Sequence, residues 1–365
     1  MDAAIQLVSV TKRFGRGAPA VGDLSLAIAE GEVCVLVGPS GCGKTTTLKM
    51  INRLIEPTSG QILVNGKDGR GRSAHELRRE IGYVIQQIGL FPHRTVRDNI
   101  ATVPRLLGWE KGRTEGRVTE LVDLVGLERD MLGRYPIELS GGQQQRVGVA
   151  RALAADPPIL LMDEPFGAVD PIVRGRLQDL LIELQAEVRK TIVLVTHDID
   201  EAIKLGDRIA LLNVGGVLEQ YAPPDQMLAA PANDFVAGFL GRERGLKRLS
   251  LAHVGDLALD RGPVVAPGSS PDEARAVMAR EGTDWVAVVD ADRLLGWLPA
   301  AEVNDGRQLR ALTPRPFKVS VASTSSLREA LDAVVTSRTR VAVVSDGPRY
   351  LGMLTLERIT EEIVS

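Results

Sequence analysis

The eight residues Gly38-Pro39-Ser40-Gly41-Cys42-Gly43-Lys44-Thr45 restrict the fold of this chain more than any other stretch. They satisfy G-x-x-x-x-G-K-[ST] at every fixed position. They follow the apolar run Val33–Val37 and lead into a helical pattern beginning near Thr45. In such a strand–loop–helix unit, backbone N–H groups curl around phosphate oxygens and the helix N-terminus adds partial positive charge. The expected phosphate contacts are Ser40, Gly41, Cys42, Gly43, Lys44, Thr45 and Thr46. Lys44 would reach the terminal phosphates and Thr45 would offer its hydroxyl to Mg²⁺.

Further runs, Pro158–Met162, Thr191–Val195 and Ile209–Leu212, are near-continuously apolar, as strands covered on both faces must be. The first of them ends in two adjacent carboxylates. Asp163 is expected to hold Mg²⁺ through water, and Glu164 to position and polarise an attacking water. His197, just after the strand Thr191–Val195, would lie at the same sheet edge, where a neutral imidazole could bond a γ-phosphate. Between about Phe91 and Ala155 strand patterns give way to amphipathic ones such as Val96–Leu107 and Val118–Val125, which indicates an inserted helical subdomain. Within it Leu139-Ser140-Gly141-Gly142-Gln143-Gln144-Gln145-Arg146 leads into a helix expected over Gln143–Ala155. Ser140 suits an N-cap, and the segment forms a second anion-binding helix terminus. A second phosphate clamp implies a second nucleotide or a second protomer.

Several classes are excluded by composition. Lys plus Arg number 44 and Asp plus Glu 47, so the chain lacks the basic footprint of a nucleic-acid binder. The longest apolar runs have five residues, against the roughly 20 that a membrane-spanning helix needs. Met1–Gln6 has neither a basic nor an apolar leader stretch, so no secretory leader is expected. The two cysteines, Cys34 and Cys42, do not make a disulfide framework and suit a reducing compartment.

In combination and order, these motifs make the first ~240 residues resemble an ATP-binding-cassette (ABC) ATPase. The resemblance implies an α/β P-loop core over 1–240 with a helical subdomain at about 89–155, ATP and Mg²⁺ as cofactors, and a head-to-tail homodimer. In that arrangement Ser140, Gly141, Gly142 and Gln143 act on the ATP held by the partner protomer's Lys44 loop. Phe14 matches the adenine-stacking aromatic. Gln86 matches the glutamine that touches Mg²⁺ and signals to the membrane subunit. Asp170, in Ala168-Val169-Asp170, matches the dimer contact. Glu164, His197, Lys44 and Gln86 would then be the catalytic set.

The rest of the chain carries an internal repeat at an offset of 55 to 56 residues. Glu273–Met278 matches Arg328–Val334, Val286–Asp290 matches Val341–Ser345, and Leu295–Leu298 matches Leu351–Leu354. A basic, Gly-rich stretch, 241–248, is expected to be a linker. Beyond it, 249–365 resembles a tandem CBS pair of α+β type, with repeats at about 249–307 and 308–365. Such pairs bind adenosine nucleotides with a Thr or Ser and an Asp; here those positions hold Pro299 and Glu302 in the first repeat, Thr355 and Arg358 in the second. A regulatory small ligand or anionic lipid is the expected partner of this tail, with a dimer-stabilising tail as the alternative.

A cassette with that tail is similar to the ATPases of quaternary-amine importers for glycine betaine, choline or carnitine. This implies integral-membrane permease subunits, an extracytoplasmic substrate-binding protein, and a peripheral location on the cytoplasmic face of the membrane. The alternatives are an importer of another small solute, or a soluble cassette ATPase unconnected with transport. A sensor without catalysis is disfavoured by the intact Lys44, Asp163, Glu164 and His197.

Overall fold

In the computed structural model, residues 3–85, 89–167, 169, 171–304 and 307–364 are described. They divide into two compact units, Met1–Gly241 and Arg242–Ser365. The first contains ten strands: β1 (Ala3–Lys12), β2 (Val21–Ala29), β3 (Val33–Val37), β4 (Ser59–Val64), β5 (Lys67–Asp68), β6 (Ile81–Val84), β7 (Ile159–Asp163), β8 (Thr191–Val195), β9 (Arg208–Asn213) and β10 (Val217–Ala222).

The apolar runs become the middle of a six-stranded sheet of order β10-β9-β3-β8-β7-β6, parallel except for β10. Every residue of β3, β7 and β8 is buried. Full burial of a Val or Leu contributes about 1.5–3 kcal/mol each, so these strands anchor the unit. Parallel strands deliver their C-terminal ends to one edge, where ligands of open α/β sheets bind. Here Val195 pairs with both Leu36 and Asp163, so the loops after β3, β7 and β8 leave the sheet at one level.

A second, antiparallel sheet of order β2-β1-β4-β5 packs its alternating buried side chains (Ile5, Leu7, Val10, Leu24, Leu26, Ile28) into the same core. No strand is expected from the sequence before Val33. The half-polar alternation of β1 and β2 carries a weaker signal than the continuous runs.

The inserted helices lie between β6 and β7. The stretch read as one amphipathic segment, Val96–Leu107, is two short helices, Val96–Ile100 and Thr102–Leu106, followed by Lys111–Leu124. Asn99 is fully buried and holds the preceding turn. Its Oδ1 accepts from the Phe91 N–H at 2.8 Å, and its Nδ2 donates to the carbonyls of Phe91, Arg94 and Thr95. The helix expected from Gln143 starts two residues earlier, spanning Gly141–Leu153, because Ser140 takes the N-cap.

Residues 241–248, expected to be a linker, include a helical turn. Arg244–Arg248 is helical and belongs to the second unit. Leu249, buried at its end, joins the core of that unit. The second unit is one six-stranded sheet: β11 (Val264–Val265), β12 (Trp285–Asp290), β13 (Arg293–Pro299), β14 (Ser320–Val321), β15 (Val341–Asp346) and β16 (Arg349–Thr355), in the order β11-β12-β13-β16-β15-β14. Its two halves repeat in register. Val265 pairs with Val288 as Val321 pairs with Val344, and Val288 pairs with Gly296 as Val344 pairs with Gly352. Each half packs a buried cluster of its own, and Trp285, Ala287, Trp297, Val343 and Met353 form a further cluster drawn from both halves that joins them.

Candidate functional site

The loop between β3 and the helix Lys44–Ile51 is shaped by two glycines, Gly38 and Gly43, with no room for a side chain. Gly43 has φ +95°, and a Cβ there would lie 2.5 Å from the Ala20 carbonyl oxygen. At Gly38, φ +151°, it would lie 2.1 Å from that of Leu212. The Lys44 side chain is buried and donates to the carbonyl oxygens of Gly38 at 2.7 Å and Pro39 at 3.1 Å, so its charge sits at the centre of the loop. Cys42 is fully buried, its Sγ 3.7 Å from Lys44 Nζ; it supports the loop from behind and does not line the cleft in front.

That cleft has a volume of about 520 Å³ and is bordered by Ser40, Gly41, Gly43, Lys44, Thr45, Thr46, Glu164 and His197. Six of the seven residues expected of the phosphate loop therefore meet two of those expected to act on water and γ-phosphate. Ala20 also borders the cleft. No motif marks it; it arrives there because the loop before β2 crosses the glycine turn.

Thr45 donates its hydroxyl to Asp163 Oδ1 at 2.9 Å, joining the start of the helix to the end of β7. Burial pushes the Asp163 carboxyl above its ordinary pKa, and the Thr45 hydrogen bond opposes that rise. The next residue leaves the strand alternation: Glu164 has φ +46°, a left-handed conformation uncommon for a side-chain-bearing residue. Its N–H donates to the Val195 carbonyl at 2.9 Å, so β8 fixes the bend. Both carboxylates can thereby serve one sheet edge although strand neighbours ordinarily point apart. Across the cleft mouth, His197 Nδ1 lies 3.4 Å from Glu164 Oε1, and the imidazole is 64% exposed, open to a ligand. Among the described residues no group of three or more His, Cys, Asp or Glu could hold a metal alone. Thr45 and Asp163 form the hard-oxygen pair that suits Mg²⁺, which takes one or two protein ligands with phosphate oxygens.

Other expected residues lie outside this cleft. Ser140 is exposed and caps the helix Gly141–Leu153. Its Oγ accepts from the Gln143 N–H at 3.3 Å, while Gln143 Oε1 accepts from the Ser140 N–H at 2.9 Å. Gly142 packs so close to Val173 that a Cβ would lie 2.5 Å from its Cγ1. Ser140 and Gly141 thus stand exposed at a separate helix terminus, with Gly142 and Gln143 half-buried beside them. Phe14 is 59% exposed, with the Lys12 ammonium 5.1 Å from its ring centre. Gln86 and Asp170 fall outside the described residues.

A second depression, of about 510 Å³, lies on the helical insert between Phe91, Arg94, Asp98, Thr102, Arg105 and Leu106. Arg105 bonds Asp98 at 2.7 Å and holds that carboxyl below its ordinary pKa. Leu106 and Phe91 remain exposed at its rim. In the second unit, a cavity of about 550 Å³ is bordered by Asp260, Arg261, Arg280, Trp285, Met353 and Thr355 among others. Arg358 pairs with Glu361 at 2.7 Å, and Glu302 pairs with Arg315.

Comparison with known proteins places this geometry. The ABC transporter family profile matches residues 21–167 and the CBS domain profile matches 310–365. The osmoprotectant import ATP-binding protein OsmV of Salmonella typhimurium is 48% identical, over 99% of this chain and 96% of its own. The glycine betaine/carnitine/choline transport ATP-binding protein OpuCA of Bacillus subtilis is 42% identical, again over 99% of this chain and 96% of its own. Among solved structures, a dimeric ATP-binding cassette in a post-hydrolysis state, bound to ADP and Pi, is 36% identical with a TM-score of 0.55. It covers 60% of this chain and 98% of its own.

Proposed function

This chain belongs to the ATP-binding subunits of ABC transporters, and from that premise we propose that it hydrolyses ATP to drive import of a quaternary-amine osmoprotectant. The observation that carries the hydrolytic part is the single cleft in which the Lys44 loop faces Glu164 and His197.

Lys44 and the loop N–H groups hold the β- and γ-phosphates, with Thr46 beside them and Phe14 stacking on adenine. Thr45 and, through water, Asp163 would hold Mg²⁺, which would supply neutralisation of charge on the phosphate oxygens. Glu164 holds the attacking water in line with the γ-phosphorus and accepts its proton. His197 donates to a γ-phosphate oxygen, so charge that develops there is met by a preorganised dipole. Ser140, Gly141, Gly142 and Gln143 cap the ATP of a second copy of this chain, which is why they stand on an exposed helix terminus.

Closure of the two copies moves their helical inserts, and the depression at Phe91, Arg105 and Leu106 receives the permease. The reaction is thus that of a translocase, with the chain peripheral on the cytoplasmic side and a separate extracytoplasmic protein delivering the solute. Glycine betaine, carnitine and choline are the solutes in the names of relatives, and the second unit regulates transport through a small ligand or anionic lipid.

Reconstitution with the permease and binding protein, followed by a solute screen of ATPase stimulation, tests this reading. Betaines, choline or carnitine should raise turnover. Stimulation by another solute alone removes the substrate assignment. Glu164→Gln should accumulate an ATP-bound dimer with almost no turnover, and hydrolysis at the wild-type rate would remove Glu164 from its role. A chain ending at residue 241 should still hydrolyse ATP but lose its response to salt or to a signalling nucleotide.

A further inference from the structure

Among the described residues only two carboxylates are less than a tenth exposed: Asp163 at 3% and Glu201 at 6%. Asp163 belongs to the cleft, whereas Glu201 has no part in the chemistry above. A buried carboxylate is costly unless its oxygens are matched. Both oxygens of Glu201 are matched, and the partners come from two directions.

Oε2 accepts from the Thr196 hydroxyl at 2.6 Å, from the residue immediately before His197. Oε1 accepts from Gln178 Nε2 at 3.2 Å and lies 3.8 Å from Arg174 Nε. Gln178 and Arg174 both stand on the helix Pro171–Val188. The residue after His197 is held by the same group: the Asp198 N–H donates to Thr196 Oγ1 at 3.1 Å, and Asp198 Oδ2 lies 3.8 Å from Arg174 Nη1. Asp198 Oδ1 in turn caps the helix Ile199–Leu205 by accepting from the Asp200 and Glu201 N–H groups. His197 itself is 64% exposed and its ring meets Glu164 Oε1 at 3.4 Å, so the placement of its backbone governs where the ring can reach.

We propose that Glu201 is a positioning residue for hydrolysis: through Thr196 it fixes the backbone carrying His197, and through Gln178 and Arg174 it ties that backbone to the helix Pro171–Val188. The two attachments differ in tightness. The Thr196 bond is short, whereas the Arg174 contacts are longer than a hydrogen bond and Arg174 Nε has no hydrogen-bond partner. Glu201 therefore holds the histidine side by one short bond and the helix side by the longer Gln178 bond at 3.2 Å. The inference rests on the reading of His197 as the γ-phosphate contact.

Steady-state ATPase assays on the full chain test it, with melting curves to verify folding. Glu201→Gln and Thr196→Val should each lower kcat about tenfold while KM for ATP stays within about twofold, since substrate binding is left alone. Thr196→Ser, which restores the hydroxyl, should recover most of the rate. Added to His197→Ala and followed under single-turnover conditions, Glu201→Gln should cost nothing further, because its effect runs through the imidazole. Unchanged kcat in both Glu201→Gln and Thr196→Val overturns the proposal. So does a loss that adds in full to that of His197→Ala, or one carried by KM alone. If Glu201→Gln does not fold, the Thr196 pair decides alone. Wild-type turnover in His197→Ala itself would instead remove the reading of His197, and this inference would fall with it.

Discussion

Lys44 Nζ lies 2.7 Å from the Gly38 carbonyl oxygen, so the first residue of the helix is bonded back to the first residue of its own loop. The ammonium's position is thereby set by the backbone on which phosphate is expected to rest. Lys44→Ala should lower kcat at least about 100-fold, the scale of losing one preorganised charged donor. ATP hydrolysis measured beside nucleotide affinity checks this, and turnover within a few-fold of wild type would contradict it.

Gly43 and Gly41 provide an internal contrast. Both have positive φ, but a Cβ at Gly43 meets the Ala20 carbonyl at 2.5 Å while one at Gly41 meets nothing. Gly41→Ala should cost only conformational strain, about 1 kcal/mol. Gly43→Ala adds a backbone clash and should lower the denaturation midpoint further and abolish nucleotide binding. Equal stability of the two variants in urea would refute the steric account.

Phe14 is mostly exposed, so its removal should leave the melting temperature unchanged. If it stacks on adenine, Phe14→Ala should raise KM for ATP about tenfold, the upper range for an aromatic pair, with kcat nearly constant. Competition by triphosphate without a base provides the control: its affinity should not change.

Asp156 accepts from Lys190 Nζ at 2.7 Å, and this bond holds its carboxyl below the ordinary value of 3.8. A depressed carboxylate stabilises the fold above that ordinary value, and the contribution is lost as pH falls through its lowered pKa. Asp156→Asn should therefore destabilise at pH 7 and match wild type in strong acid. Asp156 has φ +54°, which Asn tolerates, so the substitution isolates the charge. The side chain is 63% exposed, so the loss should be about 0.5 kcal/mol or less and should shrink in high salt. Urea titrations across pH measure both.

The phosphate loop, the buried parallel strands and the repeat of the second unit were legible in the sequence because each is a local pattern. Glycine spacing encodes a turn, continuous apolar runs encode burial on both faces, and a 56-residue echo encodes a duplicated unit. Strands β1 and β2 were not legible, since alternation with interspersed polar residues is a weak signal until a second sheet is there to cover one face. The sequence likewise offers no sign that 241–248 would contain a helical turn.

What the chain's own order of residues determined is therefore the identity of the reactive groups and the strands that end in them. The tertiary structure alone decided which groups meet. Parallel pairing brings Leu36, Asp163 and Val195 to one level, and the left-handed bend at Glu164 is held by the Val195 carbonyl, 31 residues away in sequence. Glu201, whose bond to Thr196 is local, reaches Gln178 only because two helices pack side by side. Such contacts depend on backbone geometry summed over the whole sheet, and no local spacing of residues encodes that sum.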